Sequence, residues 1–303
     1  MSRIEIVFLG TTAGIPTRKR SHPALHLTYT SDREFCYLFD CGEGTQRQML
    51  IAGLNFMKIN HIFITHWHAD HYLGLPGLVE TMGFEGRNTP LTICSTEPDR
   101  TRVLLNLGYS PPSFNIIYKA VPTGEHGITS LLETDYFTIV STPVNHTVPS
   151  VAYALVEKDK VRIDKEKLKK LGLPDKSELY GELKRKGKVF FNSKQVKLEE
   201  VYSVEKGKKV VYSGDTRICD SLIEISQNAD LLIQDCTYFD SQDFEDYGHA
   251  SVGEVMKFLD KVKVARVILT HISRRYKDLR SLRKMVKNHP NLEIAKDFMR
   301  VVV

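Results

Sequence analysis

Four side chains able to bind a metal ion fall within six positions of the chain, in the pattern H-x-H-x-D-H; they are His66, His68, Asp70 and His71. Imidazole together with carboxylate suits zinc and other first-row ions. One tetrahedral zinc with an open position usually takes fewer donors from one segment, so the loop leaves room for two ions. The apolar run 62–64 and the following Gly74-Leu75-Pro76-Gly77 predict a strand end, a tight turn and a helix start.

Three further donors follow apolar runs elsewhere in the chain, namely His146, Asp215 and His271. Side chains at strand ends can converge on one edge of a sheet, as they do at the active sites of many α/β folds. Seven donors suit two ions, with Asp215 as the bridge because a carboxylate has two oxygens. Two divalent ions about 3.5–4 Å apart can activate a shared water and stabilise the attacking and leaving oxygens of a phosphoryl transfer.

A further histidine, His249, precedes a helix start in Gly248-His249-Ala250-Ser251, downstream of Asp235. A histidine beside a carboxylate can act as general acid toward a leaving oxygen. The alternative is a histidine that caps the helix or lies on the surface. The remaining histidines lack the strand-end context and are interpreted as structural or surface residues: His22, His26, His61, His126 and His289.

The elements that must position these residues alternate between strands and helices. Strands are predicted at 3–10, 24–30, 34–40, 61–65, 91–95, 115–121, 136–142, 148–155, 210–215, 230–235 and 265–271, with a last strand at 292–295. Helices are predicted from the 40–46 turn through 54 and at about 75–83, 98–107, 165–171, 251–261 and 278–288. Because β-rich runs followed by helices occur in both halves, we expect two packed sheets with helices outside, a four-layer α/β arrangement.

Length and composition are those of an ordinary globular protein, with 303 residues, 42% hydrophobic and 26% charged, enough for one large or two small domains. No apolar run reaches the roughly 18–20 residues that a membrane span needs. The first residues enter a strand-like pattern directly, which is not typical of a signal peptide. Five cysteines without C-x-x-C spacing argue against a disulfide framework, so we expect a cytoplasmic protein without membrane association.

Positive charge is concentrated in one segment. Residues 158–209 contain 17 Lys and Arg against 9 Asp and Glu, a net charge of +8, so the rest of the chain carries −3 of the total of +5. The polar stretch 157–203 has the composition of an insertion rather than of a core. A local basic excess is typical of a surface that binds a polyanion, and a solvated lysine-rich element remains the alternative.

Taken together, these motifs resemble the metallo-β-lactamase superfamily and, within it, the short-form ribonuclease Z family. The resemblance extends over essentially the whole chain. The histidine loop alone is superfamily-wide, whereas Asp40-Cys41-Gly42-Glu43-Gly44-Thr45-Gln46 and the run from His271 to Tyr276 are much more discriminating. Further matches are Phe8-Leu9-Gly10-Thr11, His146-Thr147-Val148-Pro149-Ser150, Ser213-Gly214-Asp215-Thr216 and Ala295-Lys296-Asp297-Phe298.

The resemblance implies a single αββα domain over 1–303 with an inserted arm at 157–203, two zinc ions per subunit, a homodimer and no nucleotide cofactor. One zinc would be held by His66, His68 and His146, the other by Asp70, His71 and His271, with Asp215 bridging. Asp70 would also orient the attacking hydroxide and His249 would protonate the leaving oxygen. Residues that would contact the RNA are Arg20, Lys184, Arg275, Tyr276 and Phe298.

The function implied is removal of the 3′ trailer from precursor tRNA, with the arm gripping the tRNA elbow. A metal-bound hydroxide would attack the phosphodiester, leaving a 3′-OH on the tRNA and a 5′-phosphate on the trailer. Two other classes explain part of the pattern. A hydrolase of small esters accounts for the ligands but not for the basic arm, and an RNA-binding protein with a vestigial site does not account for seven intact donors.

Three segments depart from the family pattern. The loop Pro16-Thr17-Arg18-Lys19-Arg20-Ser21 stands for P-x-K-x-R-N, so it keeps Arg20 and its basic character but replaces the lysine and the asparagine. Asp235 stands where the family has glutamate, so the carboxylate is one methylene shorter. In the arm, Gly172-Leu173-Pro174-Asp175-Lys176 replaces a glycine–proline run, which favours a grip on tRNA through charge.

Overall fold

The computed structural model describes residues 2–108, 111–124, 127–170, 179–191, 194–239 and 247–303. The chain forms two compact units. The larger one takes in residues up to 134, 138–155 and 209–303, and the smaller one takes in 135–137 and 156–208. The departing arm run at 172–176 and His126 lie outside the described residues. In the part of the chain that is described, no helix is both long and apolar enough to cross a bilayer.

The strands of the described residues are numbered in chain order. They are β1 Arg3–Gly10, β2 Thr12–Ala13, β3 Ala24–Thr30, β4 Glu34–Phe39, β5 Ile59–Phe63, β6 Leu91–Ser95, β7 Ile116–Ala120, β8 Thr129–Glu133, β9 Phe137–Val144, β10 Ser150–Glu157, β11 Lys160–Ile163, β12 Lys188–Phe191, β13 Lys194–Lys197, β14 Tyr202–Glu205, β15 Lys209–Tyr212, β16 Ala229–Asp235, β17 Val264–Thr270, β18 Ile272–Ser273, β19 Leu292–Ile294 and β20 Arg300–Val302.

The helices are numbered in the same way. They are α1 Thr45–Ile51, α2 Ala69–Tyr72, α3 Leu75–Phe84, α4 Pro98–Leu105, α5 Lys165–Lys170, α6 Leu179–Lys186, α7 Leu198–Val201, α8 Asp220–Ser226, α9 Val252–Leu259 and α10 Arg280–Val286. The predicted capping box at the start of α9 is confirmed, since the Ser251 hydroxyl accepts from the Glu254 N–H and the Glu254 carboxylate accepts from the Ser251 N–H.

Two seven-stranded sheets form the centre of the larger unit. Their strand orders are β20-β1-β3-β4-β5-β6-β7 and β19-β17-β16-β15-β10-β9-β8. In the first sheet β4 to β7 are parallel, and in the second β15, β16, β17 and β19 are parallel. Parallel strands end at the same edge of a sheet, so each sheet presents several carboxyl-terminal strand ends together.

The inner faces of the two sheets pack against each other. Phe39 and Phe63 of the first sheet stack on one another at 5.1 Å, and both rings meet Tyr153 of the second sheet at 5.7 and 5.5 Å. The Tyr153 hydroxyl donates to the carbonyl of Ile64 at 2.7 Å, which satisfies the one polar atom that this fully buried ring carries. Burying each large apolar side chain here contributes about 1.5–3 kcal/mol.

Helices cover the outer faces of both sheets. The apolar sides of α1, α3 and α4 join the first sheet in one core, and α8, α9 and α10 bury residues such as Ile225 and Phe258. The four-layer αββα architecture predicted from the alternation of strands and helices is therefore confirmed.

The smaller unit has its own short elements. Strands β11 and β14 pair antiparallel, β12 and β13 form a hairpin, and α5 matches the helix predicted near 165–171. Its buried apolar side chains are few, and they include Leu183, Val189, Val196 and Val201. Helix α6 contains Lys184, whose side chain lies outside what the structure describes.

One expectation about the end of the chain was wrong. The strand at 292–294 is not the last, because Arg300–Val302 forms β20 and pairs antiparallel with β1. A three-residue strand is too short to show an alternating pattern, so the sequence signal for it is weak. Other elements that were not predicted are strands β2, β8, β11 to β14 and β18 and helices α6 to α8.

Candidate metal centre and active site

All seven predicted metal ligands converge at the carboxyl-terminal edges of the two sheets. They form two groups that share Asp215, and within each group the potential ligand atoms lie within 4.8 Å of one another. We call the first the three-histidine group; it contains His66, His68 and His146. We call the second the carboxylate-rich group; it contains Asp70, His71 and His271.

The three-histidine group brings three ring nitrogens into mutual contact. Nε2 of His66 and Nε2 of His146 each lie 3.0 Å from Nδ1 of His68. Burial lowers the pKa of all three histidines, well below its usual value for His66, which is completely buried. These imidazoles are therefore neutral at neutral pH, which is the state in which histidine binds a metal.

The carboxylate-rich group has the opposite electrostatics. Nε2 of His71 and Nε2 of His271 lie 3.1 and 3.2 Å from the same carboxylate oxygen of Asp215. Burial lowers the pKa of His71, but Asp215, Asp40 and Asp70 outweigh it and leave that pKa well above its usual value. For His271 burial is likewise outweighed, first by Asp215, and its pKa rises to about 10.

A second carboxylate lies behind His71. Asp40 accepts from His71 Nδ1 at 2.8 Å, from the Tyr212 hydroxyl at 2.8 Å and from the Thr65 N–H at 2.8 Å. The carboxylate is completely buried, and these donors supply the hydrogen bonds that its oxygens need there. Because Nδ1 of His71 carries its proton toward Asp40, Nε2 presents its lone pair to the centre once that nitrogen is deprotonated.

Hydrogen bonds to Nδ1 also determine which ring nitrogen carries the proton in two other histidines of the site. The Thr65 hydroxyl donates to Asp40 and therefore accepts from Nδ1 of His66 at 3.0 Å. The Thr237 hydroxyl donates to Asp235 and therefore accepts from Nδ1 of His271 at 2.9 Å. These protonation assignments follow from the hydrogen-bond partners.

His146 is fixed by the main chain, since its Nδ1 donates to the Gly248 carbonyl at 2.8 Å. In His66, His71, His146 and His271 alike, an outer partner holds Nδ1 and leaves Nε2 facing the centre. Inward nitrogens next to buried carboxylates are the donor set that a divalent first-row ion requires, so the residues present fit such a metal.

Backbone geometry aims two of these side chains. Asp40 and His271 both have positive φ, at 58° and 56°, although neither is glycine. Such a left-handed conformation is uncommon for residues with a Cβ and clusters at functional sites. Each lies directly after a parallel strand, where the reversal turns the side chain back toward the strand ends.

The Asp40-Cys41-Gly42 run packs directly on the histidine loop. The Cys41 N–H donates to the His71 carbonyl at 2.7 Å, and the Gly74 N–H donates to the Cys41 carbonyl at 2.8 Å. A Cβ on Gly42 would lie 2.2 Å from the Asp70 carbonyl oxygen, so only glycine allows this approach. The motif thus holds the ligand loop in place.

His249 lies beside the carboxylate-rich group and bonds to Asp235. Its Nδ1 donates to Asp235 Oδ2 at 2.9 Å and lies 4.0 Å from Asp215. Asp235 is completely buried and also accepts from the Thr216 N–H and the Thr237 hydroxyl. The shorter acid therefore reaches the histidine at a normal hydrogen-bond distance.

An open cavity of about 1300 Å³ exposes this centre. Besides site residues, basic side chains line it, among them Arg18, Arg274, Arg275 and Lys277. The Arg275 guanidinium lies over the Tyr238 ring, 5.4 Å from its centroid, which holds one charge beside His249.

The other predicted RNA contacts have different surroundings, since none of Arg20, Tyr276 and Phe298 lines the described wall of that cavity. Arg20 donates to the main-chain carbonyls of Ile272, Ser273 and Tyr276 at 2.9, 3.3 and 3.4 Å, so its guanidinium holds the loop that carries Arg275. The Tyr276 ring stacks on Phe239 at 3.6 Å. Phe298 has a φ of 65° and lines a separate cavity with Arg283.

The sequence did not identify the outer partners Asp40, Tyr212, Thr65 and Thr237. A signal existed for one of them, because Asp40 follows an apolar strand just as the ligands do. Tyr212 and the two threonines have no such signal, since buried tyrosine and threonine are common in any core.

Comparison with known proteins identifies the family. A tRNase Z endonuclease profile matches residues 11–74, and a β-lactamase superfamily domain profile matches residues 193–272. Proteins named ribonuclease Z from Methanothermobacter thermautotrophicus and Pyrococcus horikoshii are 37% and 39% identical to the chain, and the alignments cover 99% of it and 97% and 96% of those proteins.

Solved structures agree with the sequence relatives. The crystal structure of human tRNase Z, short form, superposes with a TM-score of 0.70 at 25% identity, covering 98% of each chain. A metallo-β-lactamase fold protein, YhfI from Bacillus subtilis, shares the fold with a TM-score of 0.69 at 20% identity over 100% of both chains. The resemblance read from the motifs is thereby confirmed, and the chain belongs to the ribonuclease Z family of metallo-β-lactamase-fold endonucleases.

Proposed function

We propose that this endonuclease removes the 3′ trailer from precursor tRNA, using two zinc ions per subunit. The convergence of seven ligands beside the His249–Asp235 pair, in an open basic cavity, carries the proposal. The naming of its relatives as ribonuclease Z supports the choice of substrate. The likeness to tRNase Z structures supports the same reading.

The two groups of ligands would each hold one ion, with Asp215 shared. Divalent ions in these positions would supply Lewis acidity, which lowers the pKa of water and offsets charge on a phosphodiester. Asp70 accepts from the Gly14 N–H at 2.8 Å, which fixes its carboxylate. Burial raises its pKa, but His71 and His271 outweigh burial and lower it, so Asp70 stays ionised and orients the attacking water.

His249 would serve the leaving group. Water oxygen bonds to phosphorus while the bond from phosphorus to the 3′ oxygen breaks, so the tRNA side gains a proton and the trailer keeps the phosphate. With Nδ1 committed to Asp235, a protonated His249 can donate its Nε2 proton to that 3′ oxygen. Asp235 stabilises the positive imidazolium before the transfer.

The size and charge of the site favour RNA over a small ester. A cavity of about 1300 Å³ exceeds the roughly 300–1000 Å³ of typical small-molecule pockets. The smaller unit adds a separate basic surface, on which exposed lysines include Lys167, Lys169 and Lys186. We propose that this arm, residues 157–203, binds tRNA phosphates, and that the enzyme acts as a homodimer.

The direct experiment uses a precursor tRNA labelled at both ends and zinc-loaded protein, with both new ends mapped. We expect one cut after the acceptor stem that gives a 3′-OH and a 5′-phosphate. Zinc content by mass spectrometry should reach two ions per subunit, and light scattering should give a dimer mass. Cleavage of small phosphodiesters alone, with no cut in any precursor, would favour the small-ester hydrolase instead.

The dependence on salt concentration distinguishes tRNA binding by the arm from catalysis at the active site. Neutralising phosphates releases counterions, so tRNA binding should weaken steeply with salt, by about 0.7–0.9 log units per contact and per decade of salt. Turnover of bis(p-nitrophenyl) phosphate should barely change over the same range. An equal response of both reactions would show that the arm does not hold tRNA through charge.

A further inference from the structure

A second basic cavity, of about 590 Å³, adjoins the active-site cavity. The two share Thr17, Arg18, Arg274 and Lys277, so these residues form a common rim. Beyond the rim, the second cavity is lined by the basic side chains of Lys19, Arg283 and Lys296, none of which lines the first. The positive surface therefore continues past the catalytic centre.

The acids of this second cavity offset only part of its charge, since two carboxylates, Asp278 and Asp297, face seven lysines and arginines in the lining. Asp297 already accepts from the Thr11 hydroxyl at 2.7 Å, the Ser21 N–H at 2.7 Å and Gln48 at 3.2 Å. Asp278 pairs with Arg280, which does not line the cavity, and also interacts electrostatically with Arg283, which does. In contrast, Lys19 and Lys296 are exposed and make no ion pair with any described carboxylate. Such a pocket attracts an anion.

The position of His249 bears on which side of the cut RNA, tRNA or trailer, faces the second cavity. In the proposed function the 3′ oxygen of the tRNA leaves toward His249, so the phosphate that remains belongs to the trailer. His249, Tyr238 and Tyr247 line the active-site cavity but not the second one. An RNA strand whose tRNA side lies at His249 and which continues over the common rim would therefore enter the second cavity with its trailer side.

We propose that the second cavity binds the backbone phosphates of the 3′ trailer downstream of the scissile bond. The proposal rests on the proposed function and adds a subsite to it. Binding through Lys19, Arg283 and Lys296 is electrostatic. The aromatic ring in the lining, Tyr276, is already stacked on Phe239 at 3.6 Å, and its hydroxyl accepts from the Phe239 N–H at 2.9 Å. The subsite therefore reads charge and trailer length rather than trailer sequence.

The test varies trailer length on one tRNA body. Precursors with trailers of one, four, eight and sixteen nucleotides are cleaved by the full-length zinc-loaded enzyme, and kcat/KM is measured at 50 to 200 mM salt. For the unsubstituted enzyme, kcat/KM should rise with trailer length and then level off. The triple variant K19A/R283A/K296A should lose that rise, while the one-nucleotide trailer is cut at an almost unchanged rate.

The dependence of kcat/KM on salt concentration measures how many phosphate contacts the triple variant loses. With three phosphate contacts removed at about 0.7 each, the slope of log kcat/KM against log salt should fall by about 2 for the longest trailer. A matched control, R33A/K261A/K263A, removes three exposed charges of the larger unit that line neither cavity. It should keep the full dependence on trailer length. Trailers of different sequence but equal length should behave alike.

Each remaining outcome counts against the subsite. An equal loss at all trailer lengths, or no loss at any length, would overturn it. A loss that depends on a 5′ leader rather than on the trailer would place the 5′ strand in the cavity and also overturn it. Failure of the proposed function looks different, because the unsubstituted enzyme would then cut no precursor whatever its trailer. Unchanged turnover of bis(p-nitrophenyl) phosphate by the triple variant verifies its fold.

Discussion

The three-histidine group and the carboxylate-rich group share Asp215, yet they shift the pKa of their histidines in opposite directions. Around His66, burial dominates and its pKa falls well below the usual value. Around His71 and His271, the carboxylates dominate, and the pKa of His271 rises to about 10. The difference arises from the number of buried acids nearby, because Asp40, Asp70 and Asp235 all lie on the side of the carboxylate-rich group.

This contrast has a consequence for metal loading. A divalent ion entering the three-histidine group meets neutral nitrogens and displaces no proton. The raised pKa of His71 and of His271 predicts that an ion entering the carboxylate-rich group displaces protons from these two histidines. That ion is also attracted by more negative charge, because more buried carboxylates lie near the carboxylate-rich group. The two halves should therefore differ in their response to pH and to substitution.

The largest effect should come from the residue that joins the two groups. Asp215 belongs to both groups, so under the proposed function we expect its replacement with alanine to remove both ions and to lower kcat/KM about a thousandfold or more, which corresponds to about 4 kcal/mol. Asp215→Asn, which keeps the volume, should behave similarly if the charge is what matters. Metal content by mass spectrometry and precursor cleavage measure the two effects.

A matched control for this variant is Asp220→Ala, because Asp220 is an exposed carboxylate at the start of α8, five positions away. It should retain both ions and full activity. An Asp215→Ala enzyme that kept one ion would show that the two groups bind independently. One that kept both ions and normal cleavage would remove Asp215 from the centre altogether.

The next largest effect is expected from pH. Zinc binding to chelator-treated protein, followed by calorimetry at pH 7 in buffers of different ionisation enthalpy, should reveal one ion that releases almost no protons and one that releases about two. Since each released proton changes affinity about tenfold per pH unit, the second ion should weaken about a hundredfold per unit as pH falls from 9 to 6. The first ion should be nearly insensitive until pH drops below the usual histidine range.

The sign of this pH dependence follows from the direction in which the pKa of each histidine is shifted. A raised histidine pKa means that acid favours the protonated form, which competes with the ion. A lowered pKa in the three-histidine group means that the neutral form persists at neutral pH. Equal proton release for both ions would contradict the contrast between the groups.

Sequence reasoning succeeded where periodic patterns and strand ends carry the information. The strands at 24–30 and 91–95 were predicted at their observed bounds. The donors that follow β5, β15 and β17 converge because parallel strands end at one edge of a sheet. Even the chain position of α9 followed from Ser251 and Glu254. These features depend on local sequence or on rules of α/β topology.

The electrostatic difference between the groups could not be predicted in the same way. It depends on which buried acids face which histidines, and Asp40 and His71 are 31 positions apart, while His71 and Asp215 are 144 apart. The role of Arg20 is similar, since a sequence motif cannot show that its guanidinium bonds to three carbonyls more than 250 positions away. Such pairings follow only from the tertiary fold.

A change at Asp40 acts mainly on the carboxylate-rich group, because Asp40 bonds directly to His71. In Asp40→Asn the amide keeps the size of the side chain but loses the charge that holds Nδ1 of His71. Outer partners of this kind are worth about 10- to 100-fold in metal affinity or activity, so we expect one weakened ion and a drop of that size in kcat/KM. The ion of the three-histidine group should weaken less, because Asp40 reaches His66 only through the Thr65 hydroxyl, and Asp220→Asn serves as the control.

The smallest effect is expected from a change at Gly248, whose carbonyl accepts from Nδ1 of His146 in the three-histidine group. Gly248 has a φ of 67°, and a Cβ there would lie 2.8 Å from Nδ1 of His146, which its carbonyl holds. Gly248→Ala should therefore weaken only the ion of the three-histidine group, by about tenfold, given a left-handed cost of about 1–2 kcal/mol. Gly253→Ala in α9 is the matched control, because a Cβ there meets nothing within 4 Å. Calorimetry distinguishes the two ions by the number of protons that each displaces. If Gly248→Ala instead weakened the proton-releasing ion, His146 would not belong to the three-histidine group.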